Sequence, residues 1–149
     1  MSAPTGSAPT GPASVLLDTC ALIWFLDGTM PPAAAERIIR AGQADGIFVS
    51  PISAWEIGLL ARPRGTNTLR FLPDPKAWFR QAMASAGFRP APFTPDIAID
   101  ASHLPGNLPP DPADRMLIAT ARHLHVPIVT RDQRILTYAK NGAVAALPC

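Results

Sequence analysis

Residues 15–26 read VLLDTCALIWFL, and this stretch decides the fold. Its first three residues are apolar and predict a short buried strand, while the run from Thr19 to Leu26 predicts a helix that ends near Gly28. One acid, Asp18, stands between the two elements. Because ionised carboxylates are seldom buried without a partner, Asp18 needs either a structural role, such as capping the helix, or a functional one.

The same alternation of short apolar runs and helical patterns continues along the chain. The strands predicted after the first are 47–49, 89–93, 126–130 and 143–147. Four helix starts pair a capping residue with a proline in the first turn, namely Ser50-Pro51, Asp74-Pro75, Thr94-Pro95 and Asp111-Pro112. Strands that alternate with helices predict an α/β fold with a mostly parallel sheet covered on both faces.

The length and composition predict one globular domain. The chain has 149 residues and 48% hydrophobic residues, enough for a core, and its net charge of +2 predicts no particular partner. Residues 1–13 consist, apart from Met1, of Ser, Ala, Pro, Thr and Gly and predict a flexible tail, so the domain is expected over 14–149. We expect no membrane span and a cytoplasmic location, because the chain has no long apolar run and no secretion-signal layout. Cys20 is predicted to be a small core residue.

Four acids recur beside predicted strand ends and helix starts. They are Asp18, Glu56, Asp114 and Asp132. Sites in parallel sheets lie at the carboxyl ends of the strands, so this pattern predicts that the four acids share one edge of the sheet.

Each acid also has a structural alternative. Asp18 and Asp132 fit as helix caps, and Asp114 falls in the first turn of a helix, where an acid favours the helix dipole. Glu56 fits a capping box only if its helix begins later than Ser50, whereas a helix that begins after Ser50 places it inside an apolar run. We therefore favour a shared role, although capping of individual acids stays open.

Clustered carboxylates suit a hard divalent cation, which prefers oxygen ligands. Two carboxylates about 5 Å apart repel by roughly 3 kcal/mol at an effective dielectric near 20, so a cluster without a cation is expected to take up protons. The sequence offers no Cys/His cluster with the acids, which disfavours zinc. Our hypothesis makes Asp18 and Asp114 the central ligands, with Glu56 and Asp132 completing the site or holding water.

Four segments in order resemble the motifs of the PIN-domain family, most closely its VapC-type toxins. They read LLDTCALIWFL at 16–26, SPISAWEI at 50–57, DPADRMLIA at 111–119 and IVTRD at 128–132. The resemblance implies a PIN-like three-layer sandwich with about five mostly parallel strands and helices on both faces. It also implies an endoribonuclease that depends on Mg²⁺ or Mn²⁺, with Asp18, Glu56, Asp114 and Asp132 forming its acidic pocket. The implied partners are an RNA substrate, a cognate antitoxin and a second copy of the chain in a homodimer.

Residues around the acids receive supporting roles. Thr130, Thr19 and Asp111 are candidates for the outer shell of the site, while a threonine bonded to backbone and a simple cap are the alternatives. Arg115 and Arg131 are candidates for binding RNA phosphates, with a salt bridge to a neighbouring acid as the equal alternative.

Two other functions stay open: a PIN-fold module that binds nucleic acid or protein without catalysis, and a structural protein whose acids only cap helices.

Overall fold

The structure, a computed structural model, describes residues 13–63, 65 and 69–149. Within these ranges five strands form one parallel sheet in the order β3-β2-β1-β4-β5. The strands are β1 (Val15–Leu17), β2 (Ile47–Val49), β3 (Phe88–Pro90), β4 (Ile128–Thr130) and β5 (Ala146–Pro148). The predicted tail at 1–13 lies outside the described residues except for Ala13, whose N–H donates to the Asp45 carboxylate at 3.0 Å.

Helices connect the strands. They are α1 (Thr19–Asp27), α2 (Pro32–Gln43), α3 (Pro51–Leu60), α4 (Pro75–Met83), α5 (Pro95–Ala101), α6 (Pro112–Leu124) and α7 (Gln133–Ala139). The four predicted cap-and-proline starts are confirmed, because Ser50, Asp74, Thr94 and Asp111 each accept a hydrogen bond from a backbone N–H in the following turn. Since α3 starts at Pro51, Glu56 lies inside the helix rather than in a capping box.

Two hydrophobic clusters cover the two faces of the sheet, because side chains alternate along each strand. Leu16 of β1 joins a cluster with residues of α5, α6 and α7. Its neighbours Val15 and Leu17 point the other way and join a cluster with residues of α1 and α2. The α/β fold with about five parallel strands and helices on both faces is therefore confirmed. None of the described helices is long and apolar enough to cross a membrane.

The last strand begins later than the sequence predicts. The chain turns at Gly142, whose φ is +84°, and the Asn141 side chain accepts a hydrogen bond from the Ala143 N–H at 2.7 Å. These turn contacts delay β5 to Ala146, although the Ala145 carbonyl already accepts a hydrogen bond from the Ile128 N–H. β4 is also shorter than predicted because Pro127 has no N–H to donate to a neighbouring strand.

Candidate active site

The predicted acids line one cavity at the carboxyl end of the sheet. The cavity has a volume of about 340 Å³, and we call it the acid cavity. Its acidic lining residues are Asp18, Glu56, Asp111, Asp114 and Asp132. Asp18 follows β1 and Asp132 closely follows β4, the neighbouring strand, while the others come from helices whose first turns lie at this edge. The parallel order of the sheet thus brings together side chains that are far apart in sequence.

Three of these acids also cap helices. Asp18 accepts a hydrogen bond from the Ala21 N–H at 2.7 Å, Asp111 from the Ala113 N–H at 2.8 Å and Asp132 from the Arg134 N–H at 2.8 Å. The caps fix the side chains at the N-termini of α1, α6 and α7, where the positive ends of the helix dipoles offset part of the negative charge of the carboxylates. Capping and clustering are therefore compatible at these positions, and the caps help to hold the acids in place.

Two buried threonines hydrogen-bond to the acids. The Thr130 hydroxyl donates to Asp18 Oδ2, and its oxygen accepts from the Asp132 N–H at 2.9 Å. The Thr19 hydroxyl donates to Glu56 Oε1 and lies 3.0 Å from the hydroxyl of Ser53. Each threonine therefore links two elements of the site and fixes one oxygen of a carboxylate.

Burial and charge crowding both act on the carboxylates. Burial raises the pKa of Asp18 from its ordinary 3.8 to about 6; hydrogen bonds from Thr130 and the Ala21 N–H oppose that rise, and the charges of Asp132 and Glu56 add to it. Burial raises the pKa of Asp114 further, to about 7, with the other four acids adding to the rise. The pKa of Glu56 is raised by burial, against the hydrogen bond from Thr19.

The difference between Asp18 and Asp114 has a local cause. Both residues are buried, with relative exposures of 6% and 8%. Asp18 accepts two hydrogen bonds, whereas no hydrogen bond to the Asp114 carboxylate is found in the described part of the chain. Hydrogen bonds to an ionised carboxylate favour its charged form, so Asp114 holds its proton more strongly than Asp18.

The chemistry of the residues that line the acid cavity suits a hard divalent cation. Five of the ten described residues that line the cavity are acids, which offer the oxygen ligands such a cation prefers, and none of the ten is a histidine. Across residues 13–63, 65 and 69–149, no three Asp, Glu, His or Cys side chains stand close enough together to form a metal site without adjustment. Binding of a cation therefore requires rotation of some of these carboxylates toward a common point, which the charge repulsion between them opposes until the cation enters.

The two candidate arginines differ in their surroundings. Arg131 lines the acid cavity, its guanidinium carbon lies 3.7 Å from the centroid of the Trp24 ring, and its Nε donates to the Cys149 carbonyl at 2.9 Å. Arg115 is not among the lining residues, and its Nε donates to the Pro109 carbonyl at 2.6 Å. Neither forms a salt bridge within the described ranges.

Two residues of the cavity wall and one residue beside it had a different predicted role or none. Cys20 is exposed and lines the acid cavity, so its prediction as a core residue was wrong: it points to the cavity while its neighbour Ala21 packs into the core. Trp24 also lines the cavity, where it contacts Arg131. Ser53 lies one helical turn before Glu56, and this spacing of three residues was the only sequence signal for it.

Comparisons with known proteins agree with this architecture. The profile of the PIN domain matches residues 15–141. Ribonuclease VapC22 of Mycobacterium tuberculosis (strain ATCC 25618 / H37Rv) is 31% identical over 126 residues, which are 84% of this chain and 92% of the relative. A structure titled VapBC2 from Rickettsia felis, bound to a promoter DNA fragment, has a TM-score of 0.64 at 10% identity, covering 91% of this chain and 98% of that one. A structure of VapBC-5 from Mycobacterium tuberculosis has a TM-score of 0.56 at 17% identity, covering 93% and 100%. The extent of the profile match and the identity to VapC22 show that the chain belongs to the PIN-domain family, among its VapC-type members.

Proposed function

We propose that the protein is a metal-dependent endoribonuclease and the toxin of a toxin–antitoxin pair. The observation that carries this proposal is the gathering of five carboxylates in one cavity of about 340 Å³. Two of them, Asp18 and Asp114, have pKa values raised to about 6 and about 7. A site with this excess of negative charge favours a divalent cation over a neutral or anionic ligand.

Asp18 and Asp114 are proposed as the central ligands of Mg²⁺ or Mn²⁺, and Glu56 and Asp132 as the acids that complete the site. A bound divalent cation would supply positive charge against the RNA phosphate and would lower the pKa of water. Thr130 orients Asp18 through its hydroxyl, while Thr19 does the same for Glu56. Asp111 lies at the cavity wall, where its charge supports binding of the cation from outside the ligand set.

Arg131 is proposed to bind a phosphate of the RNA. A bidentate phosphate contact through its terminal nitrogens would replace the interaction of the guanidinium with the Cys149 thiol. Its Nε donates to the Cys149 backbone oxygen and one face of the guanidinium lies on Trp24. The two contacts restrain the side chain beside the acids and so reduce the entropy lost on binding. Arg115 is proposed as a weaker phosphate contact, because the Pro109 carbonyl takes its Nε and it does not line the cavity.

The relatives support the class of substrate and partner. The 31% identical relative is named a ribonuclease, and the titles of the solved structures describe VapBC assemblies and a complex with promoter DNA. By analogy we propose an RNA substrate, an antitoxin that binds the toxin, a homodimer, and a cytoplasmic location. Exposed apolar side chains, including Trp55 at 60% and Leu72 at 68% relative exposure, are available for such protein contacts.

Cleavage of RNA with defined metals tests the enzymatic proposal. The purified protein is incubated with structured RNA in Mg²⁺ or Mn²⁺, with and without EDTA, and the products are separated by gel electrophoresis. We expect metal-dependent cleavage that EDTA stops and that Asp114→Asn abolishes. Asp100→Asn is the matched control, because Asp100 is exposed on α5 outside the acid cavity. RNA binding without cleavage in either metal would refute the enzyme and favour a catalytically inactive binding module.

Co-expression with the neighbouring reading frame tests the partner. We expect a short frame directly beside the gene to encode a protein that copurifies with this chain and suppresses cleavage. Light scattering measures whether the isolated toxin is a dimer. A monomeric toxin that no neighbouring protein inhibits would contradict the toxin–antitoxin part of the proposal while leaving the nuclease part intact.

A further inference from the structure

A second cavity has two walls, and each contains a residue that is adjacent in sequence to a residue of the acid cavity. It has a volume of about 670 Å³ and lies between the loop at 106–110 and α7; we call it the α7 groove. Pro110 of this groove directly precedes Asp111 of the acid cavity, and Gln133 directly follows Asp132. The loop wall therefore ends just before the N-cap of α6, and the α7 wall begins just after the N-cap of α7. The groove continues from the rim at which the carboxylates gather.

Specific contacts tie the loop of the groove to α7. The hydroxyl of Tyr138, a buried residue, donates to the Pro105 carbonyl at 2.6 Å. Gly106 has a φ of +80°, and a Cβ at this position would lie 3.0 Å from Asn141 Nδ2, so the loop packs closely against the end of α7. The groove is thus built by packed elements rather than by a loop that merely passes nearby.

The lining of the α7 groove combines one cation with amides and apolar surface. Among the described residues, Arg134 is the only charged one that lines the groove, and no acid contributes. Arg134 is exposed, and its guanidinium has neither a hydrogen bond nor an ion pair among the described residues. The amides of Asn107 and Gln133 are likewise without side-chain partners there, and Leu108 adds apolar surface.

We infer that the α7 groove binds a nucleotide of the substrate strand next to the cleaved phosphate, with Arg134 on the neighbouring phosphate and the Asn107 and Gln133 amides on the base. This inference rests on the proposed nuclease function. Single-stranded RNA is recognised through unstacked bases that contact apolar or aromatic surface and hydrogen-bond along their edges, while cations hold the backbone. The α7 groove offers each of these groups directly beside the acid cavity.

Charge favours the α7 groove over the other cavities lined by arginine as the place where the RNA strand leaves the acid cavity. A strand that leaves the acid cavity needs a surface without further carboxylates, and the lining of the α7 groove has none. Two other cavities carry Arg37 and Arg122, but they also contain Pro127, just before β4 begins, and so lie at the opposite, amino end of the strands. A third, between α3 and α4, carries Arg80 but also contains the acid Asp74. An RNA strand held at the acids would have to pass along the whole length of the β-strands to reach the two cavities at the amino end.

Binding measurements in a cleavage-deficient background test the inference. Fluorescence anisotropy of a labelled single-stranded RNA is measured with Asp114→Asn protein in Mg²⁺, with and without Arg134→Ala, over a series of salt concentrations. We expect Arg134→Ala to weaken binding by about 10-fold and to reduce the slope of log K against log salt by about 0.7, the value for one lost phosphate contact. Arg134→Lys should restore most of the salt slope. Arg37→Ala removes the same charge at the opposite end of the sheet and should leave both quantities unchanged.

Failure of this inference is distinguishable from failure of the nuclease. If the wild-type protein cuts RNA but Arg134→Ala binds RNA with unchanged affinity and salt slope, the nuclease stands and the groove assignment is overturned. If Arg134→Ala instead loosens only the complex with the neighbouring-frame protein, the groove is a protein-docking surface and the assignment is also overturned. Photocrosslinking of RNA to peptides that contain 106–110 or 133–141 would support it directly.

Discussion

Replacement of Asp114 by asparagine is expected to inactivate the protein and, in the absence of metal, to stabilise it. The Asp114 carboxylate is buried among other acids without a hydrogen bond in the described residues, and its pKa is raised to about 7. Asparagine has nearly the same shape but no charge. The substitution therefore removes a desolvated, repelled charge without opening a hole in the cavity wall.

The pKa gives the expected magnitude. A rise from 3.8 to about 7 corresponds to about 4 kcal/mol of unfavourable ionisation at a pH above both values. Because the acid cavity opens to solvent, we halve this figure and expect a stabilisation of about 2 kcal/mol. For a chain of this size, that increase in the free energy of unfolding corresponds to an increase in Tm of about 4–8 °C.

The pH dependence has a defined direction. The folded protein binds the Asp114 proton up to about pH 7, whereas the unfolded chain releases it near 3.8. The stability of the wild type therefore falls as the pH rises between these values, and the asparagine variant lacks this loss. We expect the difference in Tm to be complete at about pH 8 and small at about pH 4, where the unfolded carboxyl is only partly ionised.

Thermal unfolding followed by circular dichroism in EDTA measures both proteins at the two pH values. Asp100→Asn controls for the loss of one negative charge on the surface. Addition of Mg²⁺ at about pH 8 should raise the Tm of the wild type and leave that of Asp114→Asn nearly unchanged. An asparagine variant that is no more stable than the wild type at about pH 8 would refute the charge crowding on which the proposed cation site depends.

Three further outcomes are expected. Thr130→Val removes the donor to Asp18 and should lower the cleavage rate by about 10- to 100-fold, whereas Thr130→Ser should retain most of it, as measured by initial rates. Trp24→Leu removes the surface under Arg131 and should raise KM for RNA several-fold more than it lowers kcat; an unchanged KM would contradict the role of this contact. Although Cys20 is exposed to the cavity, desolvation in the cavity wall and the neighbouring carboxylates raise its pKa to about 11. Its alkylation by iodoacetamide near neutral pH should therefore be far slower than that of free cysteine, as followed by mass spectrometry.

The sequence predicted the elements well where their signals are local. A cap such as Ser50 and its following proline act within one helical turn, so the start of α3, and with it the interior position of Glu56, followed from adjacent residues. The errors have two causes, one local and one distant. The start of β5 depends on a turn around Gly142, and the exposure of Cys20 depends on which side of α1 packs on the sheet.

The order of the motifs alone determined the family, the parallel α/β fold and the identity of the acids that border the sheet. Three contacts followed from the folded chain and from no single segment: Thr130 reaches Asp18 across 112 positions, Thr19 reaches Glu56 across 37, and Trp24 lies under Arg131. Caps and prolines restrict the backbone over four or five residues, so they can be recognised in one segment. A cavity is shaped by side chains from segments that meet only after the sheet has formed, and the directions of those side chains are set by packing that no single segment contains.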